Sequence, residues 1–100
     1  MTGILAEATG EEPVVEYRFF KGRRWRLDYA WPRVKIGIEI QGGVWKFGRH
    51  TRGKGYEGDC EKLNTAQCLG WRIFWLTPGM VRDGRANELF DWIRKELAGE

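Results

Sequence analysis

The chain has 100 residues, 42% hydrophobic and 14% aromatic, with seventeen Lys or Arg against fourteen Asp or Glu and a net charge of +3. That length suits one domain with a modest core. No apolar run approaches the ~20 residues that span a bilayer, and no basic start leads into an apolar centre, so the expectation is a soluble intracellular protein with neither a membrane span nor a signal peptide.

Residues 1–12 are small, polar or acidic, which predicts a loose leader before a single domain over 13–100. Pro13 suits the first turn of a short helix running to about Phe20, although Val15, Tyr17 and Phe19 alternate as well as a strand would. Glu16 reads equally as a solvated surface acid and as a carboxylate reaching a metal centre. Lys21-Gly22-Arg23-Arg24 forms a basic turn suited to phosphate contact.

A β-hairpin follows. Residues Trp25 to Trp31 are mostly aromatic, aliphatic or long, Pro32-Arg33 supplies a turn, and Val34, Ile36, Ile38 and Ile40 then alternate. Side chains on a strand alternate between faces, so Arg26 shares one face with Asp28 and Glu39 shares one with Gln41. The aliphatic set lies on the opposite, buried face. Pairing about Pro32-Arg33 brings Asp28 near Glu39 at the end away from the turn. Two such carboxylates repel unless a cation lies between them, and a hard divalent ion, Mg2+ first, suits oxygen ligands.

Beyond Gln41 come Gly42, Gly43, Gly48, Gly53 and Gly55, interleaved with Trp45, Lys46, Phe47, Arg49, His50, Arg52 and Lys54. No acid and no periodicity occur there, which predicts a long mobile loop at the mouth of the site. Its cations would meet phosphates and its aromatics would stack on unpaired bases. His50, with an ordinary pKa nearest neutrality, is a candidate proton donor or acceptor; a phosphate hydrogen bond and a plain surface position are the alternatives.

From Glu57 to Leu69 the pattern is helical, with Cys60, Leu63 and Ala66 facing inward and Gly70 as the stop. Eight residues of helix separate Cys60 from Cys68 by about 12 Å, too far for a disulfide. Asp59 and Lys62 share a face, either as an exposed ion pair or with Lys62 turned back over the site. Trp71 to Thr77 reads as a central strand covered on both faces, joined to the hairpin by a parallel crossover and ended by Pro78-Gly79. Ala86, Leu89, Phe90, Ile93 and Leu97 mark a closing amphipathic helix, with Trp92 off its stripe as a partner-facing residue.

Charge is segregated along the chain. Between Arg18 and Lys54 eleven basic residues face only two acids, Asp28 and Glu39, a local net of +9, while the remainder carries −6. A basic field that retains two carboxylates suits a polyanion and a metal. The ordered set Asp28, Glu39-Ile40-Gln41, Gly42-Gly43, Gly48-Arg49-His50, Asp59-x-x-Lys62 and Gly70-Trp71 resembles the PD-(D/E)XK nuclease superfamily, spanning roughly Val14 to Thr77. It is similar to the small stand-alone endonucleases of phages and bacteria, both very-short-patch-repair-like and Holliday-junction-resolvase-like. Gln41 stands where Lys is the usual motif residue, and Glu16 matches an acid that several branches place on their first helix.

The resemblance implies an α/β, restriction-endonuclease-like fold: a small mixed sheet with a β-hairpin active site and helices on both faces. It also implies a cytoplasmic location in a bacterial or phage-infected cell. Asp28, Glu39 and the Ile40 carbonyl would bind Mg2+ or Mn2+, with Gln41 orienting water, Glu16 completing the shell and Lys62 neutralising charge. Arg23, Arg24, Arg26, Trp45, Lys46, Arg49, His50, Arg52 and Lys54 would contact DNA. A domain this small has little room for sequence reading, so branched DNA is the expected substrate, cut by a homodimer with two sites. A mismatch-directed nicking enzyme, an RNA substrate and a non-catalytic DNA-binding module are the alternatives.

Overall fold

Strands form where aromatic and β-branched residues cluster, over 14–17, 27–31, 36–40 and 72–76, and the closing helix follows the apolar periodicity of its sequence. A computed structural model of the chain describes residues 1–41 and 54–100. In order they form α1 (Thr2–Thr9), β1 (Val14–Tyr17), β2 (Leu27–Trp31), β3 (Ile36–Ile40), α2 (Lys54–Cys68), β4 (Arg72–Leu76), α3 (Pro78–Arg82) and α4 (Asn87–Ala98). The result is an α/β fold built on a four-stranded mixed sheet of order β1-β2-β3-β4. The first three strands are antiparallel and β4 lies parallel to β3. Among the described residues no helix is long and apolar enough to cross a membrane.

The hairpin register pairs Trp31 with Ile36, Ala30 with Gly37 and Tyr29 with Ile38. The turn is closed by the amides of Val34 and Lys35, which donate to the carbonyls of Trp31 and Pro32 at 3.1 Å each. Val34 therefore belongs to the turn and not to the strand. Trp31, Ile36 and Ile38 face a core completed by Leu5 of α1 and by Phe90, Ile93 and Leu97 of α4. Full burial of each such aliphatic side chain contributes about 1.5–3 kcal/mol. On the other face Leu27, Ala30, Ala66 and Trp71 form a smaller cluster beneath α2. Helices thus cover both faces, which is why Gly37 and Glu39 are buried along with the aliphatic set.

Several expectations are corrected here. The leader expected over residues 1–12 is instead a helix whose Leu5 is wholly buried, and its exit is tied down where the Trp31 indole donates to the Glu11 carbonyl at 2.8 Å. A helix from Pro13 to Phe20 gives way to the edge strand β1, in keeping with the competing alternation of Val15 and Tyr17. Cys60 is exposed, while Ala66 is the residue of α2 that reaches the core. Gly70, at φ +90, ends α2 in a left-handed conformation that needs no Cβ. The crossover to β4 is parallel as expected, but β4 is an edge strand and not a central one, and Trp75 is 54% exposed. Trp92, off the apolar stripe, packs against the sheet: its ring meets Phe74 edge-on at 5.5 Å and lies 4.9 Å from the Arg72 guanidinium. After β4 the chain forms the short helix α3, capped by Thr77, whose hydroxyl accepts the Met80 N–H at 3.2 Å.

Candidate functional site

The site forms where backbone pairing between β2 and β3 stops. Tyr29 and Ile38 make the last rung of the ladder, and the next residues, Asp28 and Glu39, exchange side chains for backbone. The Asp28 amide donates to Glu39 Oε2 at 2.9 Å, and the Ile40 amide donates to Asp28 Oδ2 at 2.7 Å. Each acid accepts from the other's strand, so the two carboxylates are held side by side although their charges repel. Backbone N–H donors to a carboxylate are among the stronger hydrogen bonds, which offsets that repulsion.

Lys62 of α2 completes the pair. Its Nζ donates to Glu39 Oε1 and, at 2.8 Å, to the Arg26 carbonyl, so one ammonium ties α2 both to the acid and to the entrance of β2. Side-chain exposure is only 9% for Glu39 and 15% for Lys62. Burial pushes the Glu39 carboxyl above its ordinary range. The Lys62 hydrogen bond, the Asp28 amide and the Lys62 charge pull it back, and the Asp28 charge raises it. Asp59, the other acid expected near Lys62, is exposed on α2, and the ammonium points away from it toward the sheet.

Asp28 also lines an open recess of about 320 Å³ with Glu16, Val15, Tyr29, Ile40 and Met1. Glu16 reaches it from the edge strand β1 and not from a helix, in a left-handed conformation (φ 51) that costs a non-glycine residue roughly 1–3 kcal/mol. Its carboxylate pairs with Arg26 at 2.8 Å. Gln41 continues β3 by donating its amide to the Leu76 carbonyl at 2.7 Å, two residues beyond Glu39 and on the same strand face. The structure therefore brings Glu16, Asp28, Glu39, Ile40, Gln41 and Lys62 to one end of the sheet.

The basic turn lies at that same end, since it leads directly into Leu27. Arg18, Lys21, Arg23, Arg24 and Trp25 line a basic recess of about 530 Å³. The Arg23 guanidinium sits 4.1 Å from the Trp25 ring centre and pairs with Glu61 of α2 at 3.1 Å. The expected contacts of Trp45, Lys46, Arg49, His50 and Arg52, and the mobile loop that would carry them, lie outside the described residues, as does the side chain of Lys54.

Among the described residues no three His, Cys, Asp or Glu side chains converge as a ready ligand set. Asp28, Glu39 and the Ile40 carbonyl offer the hard oxygen donors that Mg2+ or Mn2+ takes. At Glu39 Oε1 a cation is already in place, the Lys62 ammonium. Sequence reasoning missed Trp75, which stands in register with Glu39 on β4 and is exposed. Its position at the edge was hidden by the uniformly apolar look of its strand. Compared with models of protein families, with curated proteins and with solved structures, the chain matches none of them.

Proposed function

We propose that the protein is a metal-dependent endodeoxyribonuclease of the restriction-endonuclease-like class that hydrolyses phosphodiester bonds and prefers branched DNA. One observation carries the reading: Asp28 and Glu39, the only acids in the basic stretch from Arg18 to Lys54, are cross-bonded at adjacent strand ends beside a half-buried ammonium. The mixed sheet with helices on both faces and its hairpin site at the outer end supports the same class.

In this reading Asp28, Glu39 and the Ile40 carbonyl hold Mg2+ or Mn2+, with Glu16 nearby in the recess. Bound there, the ion supplies Lewis-acid stabilisation of charge on the phosphate. Lys62 keeps Glu39 ionised and, through its remaining N–H, donates to a phosphate oxygen as negative charge grows on it, the ammonium role that Gln41 cannot fill. Gln41 orients the attacking water. Arg23, Arg24 and Arg26 at the same end of the sheet bind flanking phosphates. Two such sites related by a two-fold axis suit the paired nicks that junction resolution requires.

A second reading has its own support. Both Glu39 oxygens are already engaged, so the carboxylates also serve as a clasp that seals splayed strands in a DNA-binding module without catalysis.

Cleavage of linear duplex, mismatched duplex and four-way-junction DNA, each in Mg2+ and in EDTA, separates the readings. Metal-dependent cutting, strongest on the junction and lost in Glu39→Ala and Asp28→Asn while DNA binding persists, is expected. Full cutting by either variant sinks the carboxylate assignment; binding without cutting in any metal establishes the clasp. Cutting confined to the mismatched duplex replaces the junction substrate with a repair-type one.

A further inference from the structure

The far end of β4 carries a second basic feature that the carboxylate pair does not use. After Thr77 the short helix α3 turns the chain back, and Arg82 and Arg85 return toward Gly79. A methyl group on Gly79 would lie 3.9 Å from Arg82 Nη2 and 3.8 Å from Arg85 Nη2, so the two guanidinium ends are no farther apart than the sum of those distances. Arg85 is aimed: its Nε donates to Asp83 Oδ2 at 2.8 Å and its amide donates to Asp83 Oδ1 at 3.0 Å, which leaves the Nη2 edge turned toward Gly79. Asp83 offsets part of this positive charge, and the two Nη2 ends beside Gly79 remain donors for an anion that enters between them.

Its place in the fold says which anion. Ile40 lies opposite Leu76 in the parallel register, so Thr77 and the start of α3 follow directly on the strand that neighbours Glu39 and Gln41, at the same end of the sheet. The Lys21–Arg26 turn enters β2 at that end from the other side, because β2 runs antiparallel to β3. Across the sheet, in strand order, the carboxylates therefore lie between two basic groups. Guanidinium forks match phosphate oxygens two at a time, which lysine ammoniums do not.

We propose that Arg82 and Arg85 form a phosphate clamp that grips the DNA backbone on the β4 side of the carboxylate pair, opposite the Arg23–Arg24 contacts. The inference rests on the nuclease reading for its choice of DNA, and its test is independent of cleavage. Fluorescence anisotropy of a labelled four-way junction in EDTA, from 50 to 200 mM salt, reads the number of phosphates neutralised. Loss of two contacts in Arg82→Gln/Arg85→Gln makes the slope of log Kobs against log salt shallower by about 1.8 and weakens binding at 0.15 M salt about thirty-fold.

Gly79→Glu, which keeps both arginines and sets a carboxylate between them, should reproduce the loss. Arg94→Gln/Lys95→Gln, an equal charge change on α4 toward the hairpin-turn end, should leave the slope unchanged. A native slope in the arginine variant, or an equal loss in the α4 control, overturns the clamp even if the native protein cuts DNA in Mg2+. The expected slope change in a protein that never cuts upholds the clamp and overturns the nuclease reading. DNA binding by none of these proteins overturns both.

Discussion

Replacing Lys62 by Met removes the cation from a carboxylate that burial already disfavours. With side-chain exposures of 9% for Glu39 and 15% for Lys62, the pair is shielded well enough for its charges to matter. Breaking a buried pair from one side typically costs ~3–5 kcal/mol. Here Glu39 can escape by taking up a proton, so we expect a loss of about 2–3 kcal/mol at pH 8, a large part of the ~5–15 kcal/mol that small domains possess. The sign of the pH dependence follows from the direction of the Glu39 shift. Its folded pKa lies above 4.5, so between 4.5 and that value the native state binds more protons than the unfolded chain, and stability falls as pH rises. Removing Lys62 takes away both its hydrogen bond and its charge, which extends this window upward. The deficit of the variant should therefore grow with pH, by at most ~1.4 kcal/mol per unit, and shrink toward pH 4.5. Urea denaturation in EDTA at pH 5, 6.5 and 8 measures it. Lys62→Met/Glu39→Gln, which removes both charges, should return to within about 1 kcal/mol of the native protein. A deficit that is independent of pH, or under ~0.5 kcal/mol at pH 8, would refute the reasoning.

Two further substitutions test how the scaffold holds the site. Leu5→Ala empties a wholly buried position between α1 and α4 and should cost ~2.7–5 kcal/mol by thermal or urea unfolding, whereas a loss under 1 kcal/mol would return residues 1–12 to the status of a leader. Gly37→Ala places a methyl 2.8 Å from Leu27 Cδ1 and 3.0 Å from Ile73 Cδ1. These are the movable ends of side chains, so a loss of about 1–2 kcal/mol in the urea midpoint is expected, and an unchanged midpoint would mean that the packing beneath α2 is loose.

The hairpin was legible because two local signals agreed: alternation set the strands and Pro32-Arg33 set the turn, so the adjacency of Asp28 and Glu39 followed from counting residues. The inward turn of Lys62 was legible only as one of two options, since helical spacing placed it beside Asp59 as readily as over the sheet. Burial decided between them. Asp59 points to solvent, and Glu39 is the acid that needs a partner. Residues 1–12 were misread because their small and acidic composition hides two buried positions, Leu5 and Thr9, and the core that receives Leu5 is assembled from the hairpin and the distant α4. Composition likewise could not place β4 at an edge, because Trp71 and Leu76 are core residues while Trp75, between them, is not. The convergence of Arg82 and Arg85 depends on a one-turn helix that no periodicity announced.

The exchange of carboxylates for backbone at the end of the ladder has a spectroscopic consequence. In the body of the hairpin, amide protons are bonded to carbonyl oxygens whose charge does not change with pH. The amides of Asp28 and Ile40 are bonded instead to acids, Glu39 and Asp28 respectively. The nitrogen-15 and proton shifts of the Asp28 amide will follow the titration of Glu39 on the neighbouring strand while the adjacent Tyr29 and Ile38 amides stay fixed. One backbone resonance thus reports the ionisation of a carboxylate whose side chain is only 9% exposed, and does so in a protein at rest, before any substrate is added.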